Sequence, residues 1–372
     1  MAVESVTTAG PPARAVHPGA ARRRARSDLY GRHQTTPHHI GTTNVAAARR
    51  GRVVTTSGIF SPMVLGTMTF GDTVDADGAG ALLEVALDAG ITHIDTANGY
   101  AAGAAETILA KLLADKRDSV TIATKAGMYT GDTNGNSPLS PKGLRLSVDA
   151  SLSRLSTDYV DLLYLHQPDR AASLDDTLTT VAELVAEGKI RALGVSNFAA
   201  WQIGEVVRVA DRVGAPRPIV AQQLYNLLAR RVEDEYAEYA AVTGLTTMVY
   251  NPLGGGLLTG KHQFTEAPTE GRFGDSRLAE MYRERYWNTQ IFDAIGALSR
   301  IADDAGLPMT ELALRWLRSK PAAGPILLGG SKTSHLQANI DALSRGPLSD
   351  DLVVACDEVG TALRGPMPAY NR

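Results

Sequence analysis

Cysteine is almost missing from this chain. Cys356 is the only one in 372 residues, which excludes an intrachain disulfide and leaves no thiolate metal site to expect. That scarcity suits a reducing compartment, and the expected location is cytoplasmic. No apolar run reaches the roughly 18 residues that a membrane helix needs, so no membrane span is expected. Neither sign of charge dominates: 37 Lys and Arg stand against 40 Asp and Glu, a net −3. A nucleic acid partner would call for a basic excess that is not there. The glycine signature of an open dinucleotide-binding sheet, G-x-G-x-x-G after the first strand, is absent too; "GTMTFGD" (66–72) occupies that place.

Apolar residues make up 44% of the chain, enough for a sizeable core, but they are unevenly placed. Residues 1–57 are rich in Arg, His, Thr, Pro and Gly and show neither a two-residue nor a 3.6-residue period. They read as a disordered N-terminal tail ahead of one domain at 58–372. From residue 58 onward, short β-branched runs alternate with amphipathic stretches. The runs are "MVLGT" (63–67), "ITHID" (91–95), "VTIAT" (120–124), "VDLLYL" (160–165), "RALGV" (191–195), "IVAQQ" (219–223), "TTMVY" (246–250) and "PILLG" (325–329). Short continuous apolar runs are how strands buried on both faces read. Helical stretches lie between them; one opens with Ser140 as N-cap and Pro141 in the first turn. Eight strands with helices between them predict a (β/α)8 barrel. The last interval is too long, and 254–287 is expected to be an inserted loop over the mouth, with a helical extension at the C-terminus.

Barrel chemistry gathers at the carboxyl ends of strands. The residues found there are Asp95 with Tyr100, Lys125, His166, Ser196 with Asn197, Gln222 with Gln223, and Tyr250 with Asn251. His93, inside its strand, reads as structural. Asp95, Tyr100, Lys125 and His166 make chemical sense as a set. An ammonium beside a phenol lowers its pKa, a carboxylate keeps the ammonium charged, and an imidazole can polarise a carbonyl. The expected product is an acidified phenol poised to protonate a carbonyl oxygen that has received a hydride.

With these motifs in view the chain resembles the aldo-keto reductase superfamily. The matching stretches are "LGTMTFGD", "HIDTANGY", "AETILAKLL", "TIATKAG", "DLLYLHQPD", "GKIRALGVSNF", "QQLYN", "NPLGGGLLTGK" and "ILLGGSKTSHLQANI". "EGRFGDSRLAEMYRERYW" looks like the aflatoxin aldehyde and succinic semialdehyde reductase branch. The resemblance implies an NADPH-dependent carbonyl reductase that needs no metal. Tyr100 would be the general acid, tuned by Lys125 and Asp95, with His166 orienting the carbonyl. Ser196, Asn197 and Gln222 would hold the nicotinamide carboxamide, and Tyr250 would stack on its ring. Asn251, Pro252, Leu253, Gly254, Gly256 and Lys261 would follow the pyrophosphate. Ser331 and Lys332 would grip the 2′-phosphate, with His335 and Asn339 toward the adenosine. Met68, Phe70, Asn98, Met128, Tyr129, Tyr225, Tyr282 and Trp287 are loop residues that could line a pocket for a small carbonyl substrate. In the resembling branch an arginine at the mouth takes a substrate carboxylate, and Arg283, Arg285 and Arg372 are the candidates. A homodimer is the assembly the branch suggests. Two alternatives stay open: a ketone or enone reductase acting on a nucleotide sugar or another specialised metabolite, and an NADP-binding regulatory subunit with little turnover.

Overall fold

A computed structural model of the chain describes residues 60–266 and 268–365. The expected tail at 1–57 and Arg372 lie outside the described residues. Eight parallel strands close into a barrel in sequence order: β1 (Met63–Gly66), β2 (His93–Asp95), β3 (Thr121–Ala126), β4 (Leu162–Leu165), β5 (Leu193–Ser196), β6 (Val220–Leu224), β7 (Thr246–Tyr250) and β8 (Ile326–Leu328). Closure comes from β8 pairing with β1, Val64 opposite Leu327. The fold is the expected (β/α)8 barrel. Each strand lies on its apolar run, because a strand covered by helices outside and by the lumen inside must be apolar on both faces.

Around the strands lie α1 (Ala76–Asp88), α2 (Ala104–Leu112), α3 (Pro141–Leu155), α4 (Leu174–Ala186), α5 (Ala200–Val213) and α6 (Tyr236–Thr243). Capping side chains start several of them. Asp75 accepts the Gly78 N–H at 2.9 Å at the head of α1. Ser140 accepts the Gly143 N–H at 3.2 Å at the head of α3, where Pro141 has no N–H to satisfy. Caps of this kind contribute about 1 kcal/mol each. The long interval after β7 holds the inserted segment, which contains α7 (Ala279–Tyr286), and then α8 (Thr289–Asp304) and α9 (Met309–Ser319). After β8 come α10 (Thr333–Ser344) and the C-terminal helix α11 (Asp350–Arg364). α9 packs beside α10, and α8 packs beside α11.

Alternation along the strands divides the core in two. Leu65, Ile94, Ile122, Leu163, Val195 and Val249 belong to the larger apolar cluster shared with the helices. Val64, Ala123, Leu162, Tyr164, Val220, Met248 and Leu327 form a second cluster in the lumen, with Phe60 packed on it. Tyr164 is the large piece of that floor. Its ring needs Gly194 as a neighbour, since a Cβ there would lie 2.7 Å from the ring carbons Cδ1 and Cε1. The Tyr164 hydroxyl donates to Met248 Sδ at 3.3 Å.

His93 sits low in the lumen, with its ring 5.0 Å from that of Phe60. Neither of its ring nitrogens has a partner among the described residues. Burial pushes its pKa down from 6.5 to about 4; Asp161 opposes this and Lys125 adds to it. The unfolded chain therefore takes up a proton that the folded chain refuses between these values. Its stabilising effect is fully present above about pH 6.5 and is lost as pH falls toward 4. The full effect is on the order of 3 kcal/mol. The drop in urea midpoint between about pH 7 and about pH 5 should shrink in His93→Leu; an equal drop in both proteins would show that His93 does not resist protonation.

Candidate active site

The two-residue period places the polar strand ends. Along β2, His93 and Asp95 share a face; along β3, Ala123 and Lys125; along β4 and just past it, Tyr164 and His166; along β6, Val220 and Gln222; along β7, Met248 and Tyr250. The lower member of each pair belongs to the floor and the upper one stands on it. Register staggers them, each upper residue lying opposite the lower one of the next strand: Asp95 opposite Ala123, Lys125 opposite Tyr164 and Gln222 opposite Met248.

Lys125 is the hub. Its side chain and that of Asp95 are both 0% exposed. Nζ donates to Asp95 Oδ1, to the carbonyl of Thr96 at 2.8 Å and to the Tyr100 hydroxyl at 3.0 Å. All three ammonium protons are thereby used. The other Asp95 oxygen accepts from Gln222 Nε2 at 2.7 Å. Lys125 Nζ also lies 4.8 Å from the centroid of the Tyr100 ring and 5.8 Å from that of Tyr164, a favourable placement for a cation.

Burial dominates the electrostatics. It works to lower the pKa of Lys125, but Asp95 and Tyr100 outweigh it and hold the ammonium above its ordinary value. Burial raises the Asp95 carboxyl, with Lys125 and Gln222 opposing. Burial also raises the Tyr100 phenol; Lys125 is the chief opposing influence. This corrects the expectation of an acidified phenol. The ammonium offsets part of the desolvation of a phenolate, and the resting phenol keeps its proton.

His166 completes the group. Its ring meets that of Tyr100 edge-on, with centroids 6.3 Å apart, and its Nδ1 is buried without a partner among the described residues. Burial, aided by Lys125, pushes its pKa down from 6.5 to about 3, so the imidazole is neutral near pH 7. Asn197 Nδ2 donates to the His166 carbonyl at 2.9 Å and to the Ser196 hydroxyl at 3.1 Å. The Tyr250 hydroxyl donates to Asn197 Oδ1 at 2.7 Å. Asn197 and Asn251 both have left-handed backbones, φ 61 and 57, a conformation that asparagine tolerates better than most residues. Each turns the chain out of the barrel at a strand end.

The remaining candidates fall into three groups. In the first, Asn251 accepts the Gly255 N–H at 2.6 Å and donates to the Tyr286 hydroxyl at 3.0 Å. It begins a turn in which Gly254, Gly255 and Gly256 all have positive φ. A Cβ on Gly255 would press on Tyr282 at 2.8 Å, whereas Gly256 faces open space except for His262 at 4.0 Å. Pro252 is buried, Leu253 half-buried and Lys261 exposed. In the second group, Ser331, Lys332 and His335 are exposed at the start of α10, which has no side-chain cap, and Asn339 is buried one turn beyond His335.

The third group is the substrate set, whose members differ in burial and partners. Asn98 is buried, and its amide donates to Asp132 at 3.1 Å. Met128 is exposed, Met68 and Tyr129 are half-buried, and Phe70 is wholly buried. Tyr282 accepts from Arg272 Nη1 at 2.9 Å and stacks on Tyr286. Trp287 packs between Phe273 and Phe292, its indole N–H donating to the Phe264 carbonyl at 3.2 Å. Arg283 braces the inserted segment by donating to the Phe273 carbonyl at 2.6 Å. Arg285, on the same helix, is exposed and makes no ion pair among the described residues. Tyr225 stands apart: its ring packs against Trp316 and its hydroxyl donates to Glu233 at 2.6 Å.

Sequence reasoning missed Tyr164 and Met248, although both stand two residues before a strand-end candidate and parity alone would have found them. It also missed Tyr286, Arg272, Glu106, Asp132 and Arg154. Their partners are far off in the chain, and no periodic signal marks them.

The sequence model of the Aldo/keto reductase family matches residues 62–361. The chain is 35% identical over 324 residues to rat aflatoxin B1 aldehyde reductase member 2, covering 83% of this chain and 87% of that protein. It is 36% identical over 324 residues to human aldo-keto reductase family 7 member A3, covering 83% and 96%. It is 31% identical over 291 residues to a probable voltage-gated potassium channel subunit beta of Arabidopsis thaliana, covering 77% and 88%.

The Lys125–Asp95 pair yields a stability test. Lys125→Met should cost about 3–5 kcal/mol, because it leaves a buried carboxylate unpaired. Combining it with Asp95→Leu should recover much of that loss in urea midpoint near pH 7. A double variant no more stable than Lys125→Met would show that the buried charge is not what destabilises the single one.

Proposed function

Because this chain belongs to the aldo/keto reductase family, we propose that it reduces an aldehyde or ketone to the alcohol, with NADPH as cofactor and Tyr100 as general acid. The observation that carries the reading is the sharing of one buried ammonium among Asp95, the Thr96 carbonyl and the Tyr100 hydroxyl. The phenol rests protonated, since burial raises it, so it has a proton to give. Once that proton leaves, Lys125 at 3.0 Å stabilises the phenolate. Stabilisation that grows only as charge develops lowers the barrier rather than merely tightening substrate binding. Asp95 holds the ammonium in place and is itself held by Gln222. The neutral imidazole of His166 orients the carbonyl oxygen by hydrogen bonding, without competing for the proton.

The residues present fit a dinucleotide phosphate. A backbone of three positive-φ glycines leaves Gly256 open to close approach, and α10 opens with free N–H groups beside the exposed Lys332, a setting that suits a phosphate. Ser196, Asn197 and Gln222 would hold the carboxamide, with the Tyr250 ring beside them. Asn251 through Gly256 and Lys261 would follow the pyrophosphate. Ser331, Lys332, His335 and Asn339 would take the adenosine phosphate end. The nicotinamide ring would supply the hydride. An aldehyde is the substrate class to test first, since two of the relatives above carry reductase names and one of them names an aldehyde.

Tyr100→Phe should lower kcat by about 10²- to 10⁴-fold, the range that general acid catalysis contributes, and leave NADPH affinity nearly unchanged. Equal losses in both would remove the acid role. Lys332→Ala should raise KM for NADPH about 10- to 100-fold and leave KM for NADH nearly constant, as expected for one lost charge-assisted contact. An unaltered ratio of the two KM values would count against the phosphate assignment.

A further inference from the structure

Tyr100 leads straight into an unfavourable stretch of backbone. Ala101, Ala102 and Gly103 follow one another with φ of 47, 55 and 93. The left-handed region is costly for alanine, so two alanines in succession persist there only if neighbouring groups hold them. Among the described residues, the hydrogen bond from Lys125 is the one side-chain bond that Tyr100 itself makes. Besides the Asn98 N–H, which donates to the Lys125 carbonyl at 3.3 Å, the side chains that hold the loop lie outside the barrel.

Arg154, in the last turn of α3, reaches both ends of that loop. Its Nε donates to Glu106 Oε2 at 2.8 Å, on the first turn of α2 just past Gly103. Its two terminal nitrogens fork onto Asp132, at 2.9 and 2.8 Å. Asp132 Oδ2 also accepts from Asn98 Nδ2 at 3.1 Å, two residues ahead of Tyr100. The guanidinium passes directly under Gly103, where a Cβ would lie 2.7 Å from Arg154 Cδ and Nε. Glu106 Oε1 accepts from Thr124 at 2.5 Å, and Thr124 immediately precedes Lys125 on β3. Glu106 is wholly buried, and the Arg154 side chain is 20% exposed. The phenol-bearing loop and the ammonium-bearing strand are thus tied to one guanidinium.

We infer that Arg154 is a positioning residue for the reduction: by bridging Glu106 and Asp132 it holds the loop from Asn98 to Gly103 so that the Tyr100 hydroxyl stays within hydrogen-bond reach of Lys125. This rests on the reading of Tyr100 as the acid. A planar fork on a fixed carboxylate is the interaction that a lysine cannot reproduce. Precision at the phenol matters because a displacement of about 1 Å costs on the order of 100-fold in rate.

Arg154→Lys is the test, since it keeps a cation beside the buried Glu106 and loses the fork onto Asp132. The expected result is a kcat lower by about 100-fold with NADPH affinity, by fluorescence titration, within about twofold of the parent. The basic limb of the kcat–pH profile should move to higher pH. A phenol farther from the ammonium loses the charge that favours its ionised form, so it keeps its proton longer. A crystal structure of the variant should show the Tyr100 hydroxyl beyond hydrogen-bond range of Lys125 Nζ. A basic limb that does not move, with the hydroxyl still in place, overturns the inference whether or not kcat falls, because a loss of folded enzyme alone lowers the rate without changing the profile. Should Arg154→Lys not fold, Asp132→Asn removes the charge from the other end of the fork and is read in the same way. Tyr100→Phe, run in parallel, separates the two claims. Full activity there sinks the acid role and leaves the crystallographic outcome for Arg154 to stand or fall by itself.

Discussion

A fully buried ammonium is the constraint around which this molecule is arranged. Taking Lys125 and Asp95 out of water costs several kcal/mol per ion, and their attraction repays it only when every remaining proton and lone pair is met. The lumen meets that condition. Asp95, the Thr96 carbonyl and the Tyr100 hydroxyl take the three protons of Nζ, and Gln222 satisfies the second carboxylate oxygen. The same low-polarity setting makes the group chemically useful. It strengthens the interaction between ammonium and phenol while keeping the phenol protonated, as the proposed acid role requires.

That arrangement needs a dry, rigid support, and the strand parity supplies it. Residues two positions before the polar strand ends make an apolar layer in which Tyr164 is the largest side chain. Gly194 is bare because the Tyr164 ring occupies the space a side chain would need. Imidazoles at two heights, His93 below and His166 above, are both driven to the neutral form by burial. For His93 the consequence is for acid stability; for His166 it bears on the role proposed for it at a carbonyl.

The inserted segment after β7 is braced from within. Arg283 donates to the Phe273 carbonyl, Trp287 packs between Phe273 and Phe292, and Arg272 donates to the Tyr282 hydroxyl. Ser276 reaches across to donate to Asp72 at 2.9 Å in the segment after β1. Residues that the sequence offers for ligand contact thus also hold the segment together. Arg283 and Arg285 look alike in "MYRERYW" and both are exposed, yet the first donates to the Phe273 carbonyl while the second reaches only Met281 on its own helix among the described residues.

The barrel, its strand order and the polar rim were legible in the sequence because they rest on short-range signals: apolar runs, caps such as Ser140, and the parity that sets Asp95, Lys125 and Gln222 on one face. Three things were settled only by the tertiary structure. Gln222 serves Asp95 across 127 positions of chain. Arg154 joins a loop 22 positions away to a helix 48 positions away. The balance between burial and Lys125 leaves the Tyr100 phenol raised rather than acidified. Periodicity carries which way a side chain faces, but not how deeply it is buried or which distant group it meets, and those two quantities govern both ion pairing and proton affinity.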